Sequence, residues 1–395
     1  MYGYGAISYP APCRSGDGVM TTPAQSRPIV LAAGGTGGHV YPALALAETL
    51  RRRGWGIAVI TDKRGSAFSD QKLITEIHYV KAASLAGGAT SKVRGLTQLA
   101  IGLLQARTLL KRLKPVVVVG FGGYPSVPTM CAATQVGIPT VIHEQNAILG
   151  RANRLLTSRV GTLATSFDRV SGIHPKSTVK VVLTGNPVRE AISAIGEISY
   201  PVLDLNSKIN ILIFGGSQGA RVLSEIVPKA LAELPCTQRS RLAVMQQCRP
   251  EDLERVRGVY KAGGIKTNLK TYFNDMDKQL SEANLVISRA GASTISELIA
   301  AKRPAILVPY PNATDDHQTA NANAIAACGS FWCVPEPAFT IEKVKNRIST
   351  FMENPGLLVK AANNAGFMRK PDAAEHLADA VEANVVGITS RGAAA

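Results

Sequence analysis

The chain is poor in several things, and each scarcity excludes something. Aromatic residues make up 5% of it, too few to interleave with basic residues as base-stacking nucleic-acid binders require, and no recognised nucleic-acid module is present. No run reaches the roughly 18 uninterrupted apolar residues of a membrane-spanning helix. The best candidate, Gly95 to Leu113, is broken by Gln98, Gln105, Arg107, Lys111 and Arg112. Met1 to Arg27 is rich in Pro, Gly and Ser and lacks the apolar stretch of a signal peptide. The expectation there is a disordered tail over residues 1–26, or translation from Met20. The six cysteines (Cys13, Cys131, Cys236, Cys248, Cys328 and Cys333) form no CxxC pair and sit mostly in apolar runs. That predicts buried, reduced thiols and no zinc site.

Acidic residues are scarce in one half only. Residues 27–183 carry 20 Lys/Arg against 6 Asp/Glu, a net of +14, while residues 184–395 carry 23 against 21, a net of +2. One half therefore owns the positive field and is expected to face phosphate, nucleic acid or acidic lipid. With 395 residues and 46% hydrophobic content, the chain is too long for one core and apolar enough to build two.

Short apolar runs alternate with amphipathic stretches from Ile29 onward. Ile29–Ala33, Ile57–Thr61, Val116–Gly120, Thr140–His143 and Val160–Ala164 read as strands. A second series reads the same way: Ile211–Phe214, Leu242–Met245, Thr267–Tyr272, Leu285–Ser288, Ala305–Pro309 and Phe331–Val334. Helical periodicity fills Pro42–Arg53, Thr97–Leu113, Ala220–Leu234, Thr294–Ala301 and Gln318–Ala327. Buried strands alternating with helices predict parallel sheets covered on both faces. The pattern runs twice, so the expected fold is α/β, with two Rossmann-like doubly wound domains facing across a crevice. The boundaries read as 27–184 for the basic domain, 185–370 for the second, and 371–395 for a terminal helix and tail. The join falls near Val182–Pro187.

Three glycine-rich loops follow strands and precede helices: Gly34-Gly35-Thr36-Gly37-Gly38-His39, Gly120-Phe121-Gly122-Gly123-Tyr124, and Gly215-Gly216-Ser217-Gln218-Gly219-Ala220. Glycine lets the main chain approach a ligand, and the following helix offers free N–H groups and a partial positive charge, so phosphate is the expected guest. GxGxxG fails in the first loop, where Val40 stands three residues after Gly37, although Asp62 keeps a nicotinamide enzyme open. No loop continues into Gly-Lys-Ser/Thr, which excludes a P-loop.

His39 opens a helix, where the dipole favours a neutral imidazole able to take a proton; a capping or phosphate-holding role is the alternative. His143-Glu144-Gln145-Asn146 ends a strand with four polar side chains, a pattern that suits a site at the carboxyl edge of an open sheet. Gly291-Ala292-Ser293-Thr294-Ile295-Ser296-Glu297 opens another helix. Glu297 is a candidate for two vicinal ribose hydroxyls, or else part of a capping box. Asp315 to Ala322 supplies groups suited to sugar hydroxyls. Arg189 reads as a lone cation beside the crevice.

Taken together, Gly34–His39, Gly122-Gly123-Tyr124, His143–Asn146, Gly185-Asn186-Pro187-Val188-Arg189, Gly215–Arg221, Ala292–Glu297 and the Gln318 region resemble the MurG family. Its members are UDP-N-acetylglucosamine transferases acting on undecaprenyl-diphospho-muramoyl-pentapeptide. The resemblance runs from about Arg27 to Asn384 and implies the GT-B architecture. It implies further that Ser217 holds the donor diphosphate, Glu297 the ribose, and Ala292, Ser293, Thr294, Ile295 and Ser296 the nucleotide. Phe273 would meet uracil through its main chain, Gln318 the sugar ring, and Arg189 and Asn146 the donor. Thr36, Gly37 and Gly38 would lie beside the sugar and the acceptor diphosphate, with Gly122, Gly123 and Tyr124 on that diphosphate too. Two stretches depart from the family pattern: Gln246-Gln247-Cys248-Arg249 and Tyr272-Phe273-Asn274-Asp275-Met276.

The expected chemistry is inverting transfer of N-acetylglucosamine to the muramic acid 4-hydroxyl in peptidoglycan synthesis. It needs no cofactor and no obligatory metal, and His39 or, second, Glu144 acts as base. The expected partners are UDP-N-acetylglucosamine, the lipid-linked acceptor and anionic inner-membrane lipids, with no nucleic acid. The protein would lie peripherally on the cytoplasmic face of the inner membrane, through the amphipathic Val93–Leu113 region; ordinary core packing of that helix is the alternative. A sugar-nucleotide epimerase and a diacylglycerol glycolipid synthase are competing readings.

Overall fold

The computed structural model describes residues 27–34, 37–63, 68, 74–83, 88–216 and 219–392. The tail over 1–26, and with it Cys13, lies outside them, as do Thr36 and Ser217.

Two parallel sheets organise the chain. The first contains β1 (Ile29–Ala32), β2 (Ile57–Thr61), β3 (Glu76–Tyr79), β4 (Val117–Gly120), β5 (Thr140–Glu144), β6 (Thr162–Thr165) and β7 (Lys180–Leu183), in the order β3-β2-β1-β4-β5-β6-β7. The second contains β8 (Ile209–Phe214), β9 (Leu242–Gln247), β10 (Lys266–Lys270), β11 (Leu285–Ser288), β12 (Ala305–Leu307) and β13 (Phe331–Cys333), in the order β10-β9-β8-β11-β12-β13. All the strand pairings are parallel. Helices cover both faces of such sheets, so the central strands are buried throughout and read as unbroken apolar runs.

Both sheets were legible in the sequence, but two strands were not. The edge strands β3 (Glu-Ile-His-Tyr) and β7 (Lys-Val-Val-Leu) are largely exposed. Solvent on one side admits charged residues, and these break up the apolar run on which recognition depends.

The terminal helix Ala373–Gly392 returns to the first sheet. Leu377, Ala378 and Val381 are fully buried in one cluster with Ile29, Leu31, Leu46, Val117 and Val119. Arg53 clamps this helix through Glu375 (2.5 Å), Asp379 (2.8 Å) and Glu382 (2.6 Å), and the Trp55 indole donates to Glu382 at 2.7 Å. Leu377, Ala378 and Val381 thus belong to the basic domain's core, and the chain passes between the two sheets twice.

Candidate active site

Each sheet reverses its strand order at one point, between β1 and β4 in the first and between β8 and β11 in the second. Loops leaving the carboxyl ends of such neighbouring strands diverge and leave a crevice. Ala32 is in register with Gly120, so the loops that begin at Ala33 and Phe121 leave side by side. Phe214 is likewise in register with Ser288, so the chain that leaves at Gly215 starts beside the one leading to helix Ala292–Ala300. The two crevices meet: Ser293, in the first turn of that helix, donates from Oγ to the carbonyl of Gly38 at 3.3 Å. Gly38 lies in the first turn of helix Gly37–Arg52. Neither helix has an acidic residue in its first turn, so two unneutralised positive dipole ends share one cleft.

His39 sits half-buried at this junction. Its Nδ1 is 3.3 Å from Gln145 Oε1. Burial lowers its pKa below 6.5, against the opposing pull of Glu144, the Phe121 carbonyl and Gln145. The imidazole is therefore neutral at pH 7. Gly122 and Gly123 run beneath the ring with φ of 82° and 71°. A Cβ added at Gly123 would stand 3.3 Å from His39 Cδ2, so glycine there satisfies both the turn and the close approach.

His143, near the end of β5, is fully buried. Its Nε2 lies 3.0 Å from the Gly185 carbonyl, and desolvation drops its pKa to about 4. Glu144 is committed elsewhere. Oε1 accepts from the main-chain and side-chain amides of Asn146 (3.0 Å each), and Oε2 accepts from Gly150 N (2.9 Å) and Asn153 Nδ2 (2.9 Å). Four N–H donors occupy this buried carboxylate, which ties down the loop after β5. The strand-end tetrad thus divides its work between bracing and the cleft.

From the second domain come Arg189 and Glu297. Arg189 Nη2 donates to Glu297 Oε1 at 2.9 Å, and its guanidinium lies over the ring of Tyr41, 4.4 Å from the centroid. Burial raises the Glu297 pKa while Arg189 opposes it. Tyr41 reaches across to Tyr272, hydroxyl to hydroxyl at 3.2 Å. Gln318 Oε1 accepts from the main-chain amides of Ala290 (3.2 Å) and Tyr310 (2.9 Å), pinning the loops after β11 and β12 together. Its amide nitrogen is the end left to contact a ligand. Asn186 Nδ2 donates to Ser296 Oγ at 3.1 Å. The ring of Phe273 packs in the second domain's core, so contact with a base would come from its main chain.

The structure brings His39, Gly37, Gly38, Gly122, Gly123, Arg189, Ser293 and Glu297 to one junction. Two residues of the Asp315–Ala322 run, offered by the sequence to sugar hydroxyls, join the domains here. Asn321 is fully buried: it accepts from Ala147 N at 2.8 Å and donates to Asn146 Oδ1 (3.1 Å) and to the Ala290 carbonyl (3.2 Å). Arg151 reaches Asp315 at 3.0 Å across the same interface. The sequence marked this run as hydrogen-bonding, but the cross-domain role of Asn321 and Asp315 carries no sequence signal until their partners are known. Among the described residues no three His, Cys, Asp or Glu side chains converge as a metal centre would need.

Comparison with known proteins agrees with this fold. Residues 29–165 match the glycosyltransferase family 28 N-terminal domain, and residues 210–377 match its C-terminal domain. A transferase of Paramagnetospirillum magneticum is 52% identical over 354 residues, covering 89% of this chain and 95% of its own. Its name is UDP-N-acetylglucosamine--N-acetylmuramyl-(pentapeptide) pyrophosphoryl-undecaprenol N-acetylglucosamine transferase. Among solved structures, Acinetobacter baumannii MurG superposes with a TM-score of 0.70 at 32% identity, covering 90% of this chain and 99% of its own. A Listeria monocytogenes protein described as a UDP-N-acetylglucosamine 2-epimerase shares the fold alone, at TM-score 0.63 and 12% identity over 88% of this chain and 93% of its own.

Proposed function

This chain belongs to the MurG transferases of glycosyltransferase family 28, and from that premise we propose how its residues carry out the transfer. It moves N-acetylglucosamine from UDP-N-acetylglucosamine to the muramoyl sugar of the undecaprenyl-diphospho-linked pentapeptide acceptor in peptidoglycan synthesis. The observation that carries the residue-level reading is the contact between Ser293 and Gly38. It brings two acid-free helix starts together, one from each domain, where two diphosphates would have to lie close enough for a sugar to pass between them.

In this reading the acceptor diphosphate lies on the Gly37–Gly38 and Gly122–Tyr124 loops, and the donor lies on helix Ala292–Ala300. Glu297 takes the ribose hydroxyls, Gln318 and Asn146 the sugar, and Arg189 the diphosphate. Thr36 and Ser217 keep their proposed places beside the phosphates on sequence alone. His39 Nε2 removes the proton from the muramic acid 4-hydroxyl. That oxygen bonds to the anomeric carbon as the bond from carbon to the donor phosphate oxygen breaks, which inverts the centre and releases UDP. Negative charge grows on the departing diphosphate, and Arg189 with the helix N–H groups is aimed at it. His39 is preferred to Glu144 because the glutamate already serves four donors.

The membrane contact belongs to the same proposal. Val93, Leu96 and Leu104 on helix Ala89–Leu113 are 65%, 57% and 65% exposed, while Ala106 and Leu110 are buried on its other side. With Arg107 and Lys111 they fall on one stripe of the helix, at steps of three, eight, three and four residues, an apolar and cationic face suited to anionic lipid. No described helix is long and apolar enough to cross a membrane. The protein would rest peripherally on the cytoplasmic face of the inner membrane.

The test supplies labelled UDP-N-acetylglucosamine with and without a short-chain muramoyl-diphospho-lipid. Label should enter lipid only when the acceptor is present, and H39A should cut turnover about 10²-fold or more. Label released as free or epimerised sugar without acceptor would overturn the transferase reading. Near-normal turnover of H39A would overturn the assignment of the base alone.

A further inference from the structure

Between His39 and His143 stands one side chain that the mechanism has not used. Gln145 is 2% exposed, and both ends of its amide are engaged. The nitrogen lies 3.0 Å from the Phe121 carbonyl, 3.3 Å from the His143 carbonyl and 3.0 Å from His143 Nδ1. The oxygen lies 3.3 Å from His39 Nδ1. Two carbonyls can only accept, so the amide end beside them has to be the NH2, and the opposite orientation is ruled out. The end facing His39 is then the oxygen, which can only accept. His39 Nδ1 must carry the hydrogen, and the lone pair of the neutral ring is left on Nε2.

The logic extends one residue further. The Gly185 carbonyl can only accept, so His143 Nε2 carries the proton and donates it. Nδ1 of the neutral ring is then bare and takes one of the two glutamine hydrogens, the other going to the Phe121 carbonyl. Each group in the series Gly185, His143, Gln145, His39 thus has its donor and acceptor ends fixed by its neighbour. The series runs from the chain crossing between the domains to the cleft.

We propose that Gln145 is the positioning residue of the transfer: it holds His39 as the Nδ1–H tautomer and thereby keeps Nε2 as the proton acceptor. The inference rests on the assignment of His39 as base, and it adds what makes that base competent. An unrestrained imidazole can place its hydrogen on either nitrogen, and the wrong tautomer presents a donor where the sugar hydroxyl needs an acceptor. The groups that set the titration of His39 are Glu144 and His143 from β5 and His317 from helix His317–Ile325, with the Phe121 carbonyl and Gln145 as hydrogen-bond partners. Of these, only Gln145 reads Nδ1 with a side-chain acceptor.

The experiment compares the full-length protein with Gln145→Met and Gln145→Glu. Nitrogen-15 shifts of the histidines report the tautomer directly, and turnover is measured from pH 5.5 to 9. In the parent protein His39 should show a protonated Nδ1 and a bare Nε2. Q145M should give a mixed tautomer and a kcat lower by about 10- to 100-fold, with KM for the sugar nucleotide within about threefold. Q145E keeps an acceptor facing His39 and adds charge beside the ring, while it gives up the hydrogens that Gln145 lends to the Phe121 carbonyl and His143 Nδ1. It should therefore cost some stability, keep the His39 tautomer and move the acid limb of kcat to higher pH. A role confined to packing would lower the rate without moving that limb. Should Q145M fail to fold, the parent tautomer and the Q145E profile still decide the matter. A parent His39 protonated on Nε2, or a Q145E limb that does not move, overturns the proposal. The base assignment fails separately: if H39A turns over normally while Q145M still scrambles the tautomer, Gln145 orients a ring that is not the base, and the proposal falls with it.

Discussion

Arg189 Nη2 lies 2.9 Å from Glu297 Oε1, and the carboxylate's side chain is only 12% exposed. Removing one partner of such a pair leaves the other charge without compensation, which costs more than the pair itself contributes. Arg189→Ala should therefore lower unfolding stability by about 3 kcal/mol in urea titration. R189A/E297Q should recover most of that loss while staying inactive, because both ligand contacts are gone. A double variant no more stable than R189A would show that the charge pair is not the cause.

His143 makes acid sensitivity predictable. Its pKa of about 4 in the folded chain lies below the ordinary 6.5, so the unfolded chain binds its proton first as pH falls. The burial of this neutral ring is fully tolerated above pH 6.5. Stability is then lost through the window down to about pH 4, by about 3 kcal/mol. A His143→Gln variant should have a flatter stability curve over that window. An unchanged slope would mean that another group dominates.

Asn321 serves both domains with one amide. Asn321→Ala leaves Ala147 N without its acceptor in a fully buried place, at a cost of about 1–3 kcal/mol. The expected readout is a wider separation of the domains by small-angle scattering together with a higher KM for the sugar nucleotide. Unchanged scattering would place the loss within one domain.

Leu377 tests the return of the terminal helix. It is fully buried against the first sheet, so Leu377→Ala should cost about 2–5 kcal/mol. A fragment ending near Thr184 should expose that core and bind hydrophobic dyes, unless the terminal helix is supplied as a peptide.

The exposed stripe on helix Ala89–Leu113 separates membrane affinity from folding. Arg107→Ala with Lys111→Ala should weaken binding to vesicles containing anionic lipid by about 30-fold, near 1 kcal/mol per charge. The melting temperature should stay within a degree or two, since both side chains are exposed. Binding that is insensitive to these charges and to salt would remove the electrostatic part of the proposal.

The sequence by itself determined the two parallel sheets and the glycine-rich loops that follow their strands. Buried strands are apolar throughout, and a turn that needs positive φ selects glycine, so both leave a local record. The edge strands β3 and β7 left none, because half their surface meets water. Only the tertiary structure decided which polar residues act together. Glu144, Gln145 and Asn146 are neighbours in sequence with similar chemistry, yet the first braces a loop, the second fixes a tautomer and the third reaches the other domain. Arg189 read as a lone cation until Glu297, 108 residues away, stood beside it. A hydrogen bond or ion pair depends on distances of a few ångströms between atoms from distant parts of the chain, and those distances exist only after the chain has folded.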